Sequence, residues 1–257
     1  MLAGALMSSV SAQPIYETSF EASDISGASY TLGDLDGQGA VGAFTGWQVQ
    51  TGTAEVEAPA AAPGAADGSN RVHQGENSTI VAEMPSASNR VIVRAWHNGA
   101  GTQQALIPPD PATMAAAVLG FESTGDTTYT VKAFDGPGDT GSYVGGGASL
   151  STDAWNKIVV SVDYDTQTFD VAINDQPYLA GLDFFNASVT SFNGFQASSQ
   201  ASANIDLVGF FASDGDFDDD GVSDDVEMRI GGDPLDETVT GPGGDVDGNG
   251  MVNIVDA

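Results

Sequence analysis

The sequence predicts a mainly β protein, an antiparallel sandwich of jelly-roll type with a small C-terminal extension. Short strand-like segments separated by Gly, Asn, Asp and Ser turns follow one another between residues 15 and 211. No stretch of about ten or more residues in that region has a convincing helical period. A region of roughly 195 residues suits a jelly roll better than an immunoglobulin-type sandwich of about 100 residues.

Two neighbouring segments, Lys157–Tyr164 and Thr168–Asn174, are the clearest strands, and a short turn joins them. In the second segment Phe169, Val171 and Ile173 alternate with polar residues. A period of two is typical of a strand with one buried face, so this pair predicts a hairpin on the sandwich. Three further segments have the same character: Arg90–Trp96, Tyr129–Phe134 and Ile205–Phe211.

The charge of the chain is strongly negative, with 36 Asp and Glu against 6 Lys and Arg and a net charge of −30. Such a surface repels phosphate backbones and anionic lipids, which excludes nucleic acid and membrane surfaces as expected partners. Fourteen of the acidic residues lie at or beyond position 213, where Arg229 is the single base. The chain has no cysteine, so disulfides, thiolate metal sites and cysteine nucleophiles are excluded.

The N-terminus predicts a signal peptide over residues 1–12. A short apolar run, Leu2–Val10, precedes small residues at a plausible cleavage point, Val10–Ala12. The run is too short to span a membrane, and no Lys or Arg precedes it, so the signal peptide is expected to be incomplete. A buried strand is the alternative. Secretion follows from the first interpretation, and the sandwich is then expected over residues 13–212, with two low-complexity loops at Pro59–Gly68 and Gly136–Gly147.

A twelve-residue segment, Asp216–Glu227, has the spacing of an EF-hand calcium loop. Calcium needs six to eight hard oxygen ligands, and this spacing wraps them around one point while a glycine at the sixth position, Gly221, permits the sharp turn. An acidic linker that matches by chance is the alternative. The predicted ligands are Asp216, Asp218, Asp220, the backbone carbonyl of Val222, Asp224 (directly or through water) and a bidentate Glu227.

The loop and the residues after it resemble the thrombospondin type 3-like calcium repeats of secreted bacterial proteins. The resemblance implies a short helix at Ser223–Ile230, a C-cap at Gly231 and a turn at Asp233-Pro234. Asp233 and Asp236 are expected at most as outer ligands. The repeat is assigned to residues 213–240.

A second loop, Asp245–Asp256, fills every ligand position and has Asp instead of Glu at the last. It resembles the first half of a type I dockerin, which implies a cohesin-like protein as partner if the dockerin is complete. Residues 241–257 contain the loop without the helix that follows it in a dockerin, so we expect either a truncated chain or a native half-dockerin that binds calcium weakly. The predicted ligands are Asp245, Asp247, Asn249, Met251 (through its backbone carbonyl), Asn253 and Asp256.

The sandwich region resembles concanavalin A-like and laminin G-like domains. The resemblance lies in Asp153–Lys157, which leads into the hairpin described above, and in Leu32–Gln38 followed by Gly46-Trp47. It implies a jelly-roll fold. Three aromatic residues, Trp47, Trp96 and Tyr143, are candidate sugar contacts, because aromatic faces pack on sugar rings. Packing in the core is the alternative for all three, and Trp155 is assigned to the core.

No motif for catalysis is found. Concanavalin A-like glycosidases have a Glu-x-Asp-x-x-Glu strand, of which Glu55 and Glu57 match one spacing only. The two histidines, His73 and His97, accompany no Gly-x-Ser-x-Gly motif. We therefore expect no catalytic residues and a calcium-binding, non-catalytic binding or adhesion module that recognises carbohydrate and is associated with polysaccharide degradation. The alternatives are a glycoside hydrolase component that uses unrecognised carboxylates and a purely structural surface protein.

Overall fold

The computed structural model describes residues 14–60, 63–99, 104–106, 115–218 and 222–236, with the backbone alone at 104–106. The predicted signal peptide and the second loop, Asp245–Asp256, lie outside these residues and remain predictions. Within them, no helix is both long enough and apolar enough to cross a membrane.

The described part of the chain is an antiparallel β-sandwich of two sheets with one short helix, α1, at Asp224–Ile230. The mainly β jelly-roll prediction is confirmed. The strands are β1 Pro14–Thr18, β2 Gly33–Asp34, β3 Gln48–Thr51, β4 Ala54–Glu57, β5 Arg71–Gln74, β6 Ser78–Ser86, β7 Arg90–Gly99, β8 Gln104–Leu106, β9 Leu119–Gly125, β10 Thr128–Asp135, β11 Ser142–Gly145, β12 Leu150–Ser151, β13 Asn156–Asp163, β14 Thr168–Ile173, β15 Gln176–Asp183, β16 Phe192–Ser199 and β17 Ala203–Ser213.

The first sheet has the order β15-β14-β13-β7-β17-β5-β4-β2, and β1 also pairs with β17. The second sheet has the order β11-β10-β9-β8-β16-β6-β3, and β12 also pairs with β10. All five predicted strands are present, as β13, β14, β7, β10 and β17. One expectation is wrong: the low-complexity loop Gly136–Gly147 contains an edge strand, β11, which pairs with β10 in register.

The core lies between the two sheets and is filled by alternate residues of their strands. Phe169, Val171 and Ile173 all belong to it, as the predicted period of two requires. Trp47 is its largest fully buried side chain. Its ring lies 5.6 Å from that of Phe20, so aromatic contacts fill the part of the core nearest the N-terminal strands.

The C-terminal extension packs against the outer face of the first sheet. Met228 of α1 is 2% exposed and lies in a second apolar cluster with Ile92 and Val159, which point away from the core. β14 was expected to have one buried face, yet Asp170 and Ala172 are buried as well, because the extension covers them. The extension is therefore part of the packed structure of the sandwich.

The low-complexity segment Pro59–Gly68 is held by acidic side chains of the sandwich. Asp206 is fully buried and accepts hydrogen bonds from the backbone N–H groups of Ala66 (2.7 Å) and Asp67 (3.2 Å). Glu21 accepts another from Asn70 (2.7 Å), two residues beyond the segment. Burial raises the pKa of Asp206 to about 7, although the backbone donors act in the opposite direction.

Replacing Asp206 by Asn should remove a pH dependence of stability. The folded chain keeps the Asp206 proton up to about pH 7, whereas an unfolded aspartate loses it near pH 3.9. The stabilisation from this group is thus present below about pH 4 and lost as the pH rises to about 7. Relative to Asp206→Asn, the wild type should lose roughly 4 kcal/mol of unfolding free energy over that range, since the two pKa values differ by about three units and each unit is worth about 1.36 kcal/mol.

The measurement is urea unfolding of both proteins across this pH range. Asp126→Asn, at an exposed turn residue, is the control and should follow the wild type. If the unfolding free energy of the wild type and of Asp206→Asn changed with pH in the same way, the raised pKa of Asp206 would be contradicted.

Candidate functional site

The predicted calcium loop begins where β17 ends and lies beside the outer face of the first sheet. Asp216 and Asp218 are half-buried, Val222 is 5% exposed and Glu227 is completely buried. Asp220 and Gly221 lie outside the described residues. The described part of the loop therefore turns its acidic side chains toward the protein and away from solvent.

Asp224, the predicted ninth-position ligand, braces the loop. One of its carboxylate oxygens accepts a hydrogen bond from the Ser213 hydroxyl, and the other accepts one from the backbone N–H of Phe217 at 2.9 Å. Burial raises the pKa of this carboxyl. Direct coordination of a metal by Asp224 stays a prediction.

The helix that follows the loop ends at the predicted residue, Ile230, and begins at Asp224, one residue later than predicted. Ser223 is the N-cap residue with extended backbone angles, and Gly231 is the C-cap in the left-handed region (φ 89°). The backbone N–H of Gly231 donates to the carbonyl of Glu227 at 3.0 Å. A turn at Asp233-Pro234 follows, closed by a hydrogen bond from the Asp236 N–H to the Asp233 carbonyl at 3.0 Å.

Three of the six basic residues of the chain hold the extension on the sheet. Arg90 of β7 pairs with Asp163 of the sheet and with Asp225 of α1, at 2.7 Å and 3.2 Å. Arg229 of α1 lies 3.6 Å from Asp170.

Lys157 of β13 makes the most buried of these contacts. Its ammonium group lies 2.7 Å from the Asp233 carboxylate and also pairs with Asp175. Asp233, considered from sequence as an outer calcium ligand, is instead the partner of a lysine.

The oxygen donors of the loop are of the type that calcium prefers, and a wholly buried carboxylate such as Glu227 needs a cation or strong donors nearby. Among the described residues, no group of three or more acidic or histidine side chains is arranged to hold a metal ion. A complete site would therefore have to include Asp220, as the loop pattern requires.

The three candidate sugar-contacting aromatic residues lie in three different places. Trp47 is 0% exposed, and its indole N–H donates to the Tyr30 hydroxyl at 3.1 Å, so it is a core residue. Trp96 is half-buried on the outer face of the first sheet, opposite Lys157. Tyr143 lies on the outer face of the second sheet. The three residues therefore cannot contact one sugar together, because Trp47 is in the core and the sandwich separates Trp96 from Tyr143.

Tyr143 is the one exposed aromatic side chain among the described residues, with 48% of its surface accessible. It lies on the edge strand β11 and is paired in register with Phe134. The two rings are 5.1 Å apart and nearly perpendicular, and the ring of Phe185 lies 4.8 Å from that of Phe134 on the other side. We call Phe134, Tyr143 and Phe185 the edge aromatic cluster.

A cleft of about 450 Å³ opens beside this cluster. It combines the apolar ring of Phe185 with polar side chains that can exchange hydrogen bonds with a ligand. Gly138 lies so close to that ring that a Cβ there would come within 2.5 Å of it, so the loop passes directly over Phe185. The described lining is Pro137, Gly138, Asp139, Phe185, Asn186, Ala187 and Ser188.

Trp155, assigned to the core from sequence, is instead half-buried. Its indole N–H donates to the carbonyl of Gly64 at 2.8 Å, so it helps to hold the Pro59–Gly68 segment. Tryptophan combines a large apolar ring system with one N–H donor, and the hydrogen bond of that donor to Gly64 keeps the Trp155 side chain at the surface.

No protein-family model and no curated protein matches this chain. Among solved structures, it is similar to domain 4 of AbnA, a GH43 extracellular arabinanase from Geobacillus stearothermophilus, in complex with arabinotriose (14% identity, 79% of this chain and 94% of that chain, TM-score 0.45). It is also similar to the carbohydrate binding module CBM66 from Bacillus subtilis (14% identity, 65% and 96%, TM-score 0.43). A third is the botulinum neurotoxin type G receptor binding domain (10% identity, 77% and 47%, TM-score 0.42).

Proposed function

We propose that this chain is a secreted, non-catalytic carbohydrate-binding module associated with polysaccharide degradation, and that its sugar site is the edge aromatic cluster. The observation that carries the proposal is the exposure of Tyr143 at 48%, on a strand edge where its partner Phe134 fixes it from one side. An aromatic face held in place by its neighbours offers apolar area to a sugar ring at little conformational cost.

The adjoining cleft supplies hydrogen-bonding side chains, which a sugar needs in addition to an aromatic ring. Asp139, Asn186 and Ser188 line it together with Phe185, and their side chains are of the kinds that bind hydroxyl groups. Asp139 is the single carboxylate in its described lining. Glycoside hydrolysis normally takes two carboxylates on opposite sides of the scissile bond, so the cleft favours binding over catalysis.

Replacing Tyr143 by Ala should weaken polysaccharide binding at least about tenfold, a loss of roughly 1.4 kcal/mol. The full chain is first screened against neutral plant and algal polysaccharides, and the best ligand is then titrated calorimetrically. Tyr143→Phe keeps the ring and should keep most of the affinity.

The matched control is Leu32→Ala, at an apolar residue that is 63% exposed and belongs to a loop elsewhere on the sandwich. It should bind like the wild type. The proposal fails if no polysaccharide binds, or if Tyr143→Ala and Leu32→Ala behave alike. Release of reducing sugar that Asp139→Asn abolishes would establish the glycoside hydrolase alternative.

We propose further that Asp216–Glu227 binds one calcium ion, held by Asp216, Asp218, Asp220, the Val222 carbonyl and Glu227, with Asp224 as the brace or a further ligand. The complete burial of Glu227 in the middle of the docked helix supports this. The ion would fix the loop between β17 and α1. Calcium at Asp245–Asp256 and a cohesin-like partner stay predictions.

A further inference from the structure

The cleft beside the edge aromatic cluster is held in shape by backbone hydrogen bonds. The N–H of Gly138 donates to the carbonyl of Phe185 at 2.9 Å, which ties the two walls of the cleft together. A turn around Gly138 is closed by the Thr140 N–H, which donates to the Pro137 carbonyl at 2.9 Å. Asp139 is the third residue of this turn and is exposed. The backbone thus fixes where this carboxylate stands in the lining of the cleft.

The charge of Asp139 is not balanced within the described part of the chain. Among the described residues it takes part in no ion pair, and the described lining of the cleft contains no Lys or Arg. The base nearest to it in sequence is Lys132, which pairs with Glu122. Two more carboxylates, Asp135 and Asp183, stand at the ends of the strands that lead into the cleft. The electrostatic potential in the cleft is therefore negative.

An ammonium group suits this cleft better than a neutral or an anionic group does. It can pair with the carboxylate of Asp139, and it is attracted by the face of the Phe185 ring in the same lining, because aromatic faces attract cations. A carboxylate or sulfate on a sugar would instead be repelled, with no base in the described lining to offset the repulsion. Both interactions thus favour the same class of sugar.

We propose that the ligand of this cleft is a polysaccharide of amino sugars whose amino groups are free and protonated. This inference rests on the proposed sugar site and specifies its substrate class. The ammonium group of one sugar pairs with Asp139, while a sugar ring of the same chain packs on the exposed ring of Tyr143. Asp139 is then the residue that determines specificity, and Tyr143 supplies apolar contact that does not depend on the charge of the sugar.

The test compares oligomers of glucosamine, N-acetylglucosamine and glucose that have the same length and linkage. Their binding to the full chain is measured by calorimetry at low ionic strength and at a pH where the amine is protonated. The glucosamine oligomer should bind roughly tenfold more tightly than either neutral oligomer, since an exposed ion pair and a cation–π contact each contribute about a factor of three. Added salt should reduce this difference.

Asp139→Asn should remove most of the preference for glucosamine, because the amide keeps a hydrogen-bonding side chain but carries no charge. The matched control is Asp126→Asn, which removes the same charge from an exposed turn residue outside the described lining and should keep the preference. A preference that survives equally in both variants would show attraction by the net charge of the whole chain, and the role of Asp139 would be wrong.

Failure of this inference is distinguishable from failure of the sugar site. If a neutral polysaccharide binds in a way that Tyr143→Ala weakens, while the amino group brings no gain in affinity, the sugar site stands and the amino-sugar assignment is overturned. If neither the oligomers nor any polysaccharide binds, both are overturned.

Discussion

Replacing Lys157 by Met should lower the free energy of unfolding by about 3–5 kcal/mol, because it leaves a buried carboxylate without its cation. The Lys157 and Asp233 side chains are 10% and 7% exposed, and their charged atoms lie 2.7 Å apart. Loss of the lysine would also release the Asp233-Pro234 turn from β13. Urea unfolding at neutral pH measures the effect.

A second substitution separates the lost cation from the lost packing. Lys157→Met combined with Asp233→Leu should recover most of the stability, since a buried ion pair replaced by apolar residues is often neutral. Lys132 and Glu122 form a comparable pair on the surface, with side chains 36% and 41% exposed. Lys132→Met should cost at most about 1 kcal/mol. Equal costs at Lys132 and Lys157 would show that the extension is not held by the buried pair.

Removing calcium should lower the melting temperature of the full chain. A ligand that binds only the folded state at a hundred times its Kd adds about 2.7 kcal/mol of stability. The effect should be large here because the proposed ion would join the end of β17 to α1 through Asp216, Asp218 and Glu227. Melting curves are recorded in calcium and in excess chelator.

Asp216→Asn with Asp220→Asn should melt at the same temperature in both conditions. The control, Asp126→Asn with Asp153→Asn, removes the same charge from two exposed residues outside the loop and should keep the full calcium response. A wild type that melts identically with and without chelator would show that Asp216–Glu227 is an acidic linker.

The strands could be predicted because their signal is local: alternation located β14. The C-cap at Gly231 followed from the resemblance to a calcium repeat. The position of the extension could not be predicted, since it depends on contacts between residues far apart in sequence, such as Lys157 and Asp233. One signal was available: Ile158–Val160 is apolar without alternation, which indicates a strand covered on both faces.

The candidate sites divide in the same way. The loop spacing predicted oxygen ligands, of which Glu227 and Asp224 are buried in the structure, but it could not distinguish a ligand from a brace at Asp224. Composition pointed to aromatic residues without their positions, so Trp47 and Tyr143 were grouped although one is in the core and the other on the surface. Phe134 and Phe185 were missed because their strand and loop become neighbours of Tyr143 only in the folded chain.

The ion pairs also affect the electrostatic repulsion between copies of this chain in solution. All six Lys and Arg side chains lie against carboxylates of their own molecule, namely Arg71, Arg90, Arg94, Lys132, Lys157 and Arg229. With its cations engaged internally and a net charge of −30, one copy presents mainly negative charge to the next. Colloidal repulsion should therefore keep the protein dispersed at neutral pH and weaken as the pH approaches the isoelectric point near 4.1.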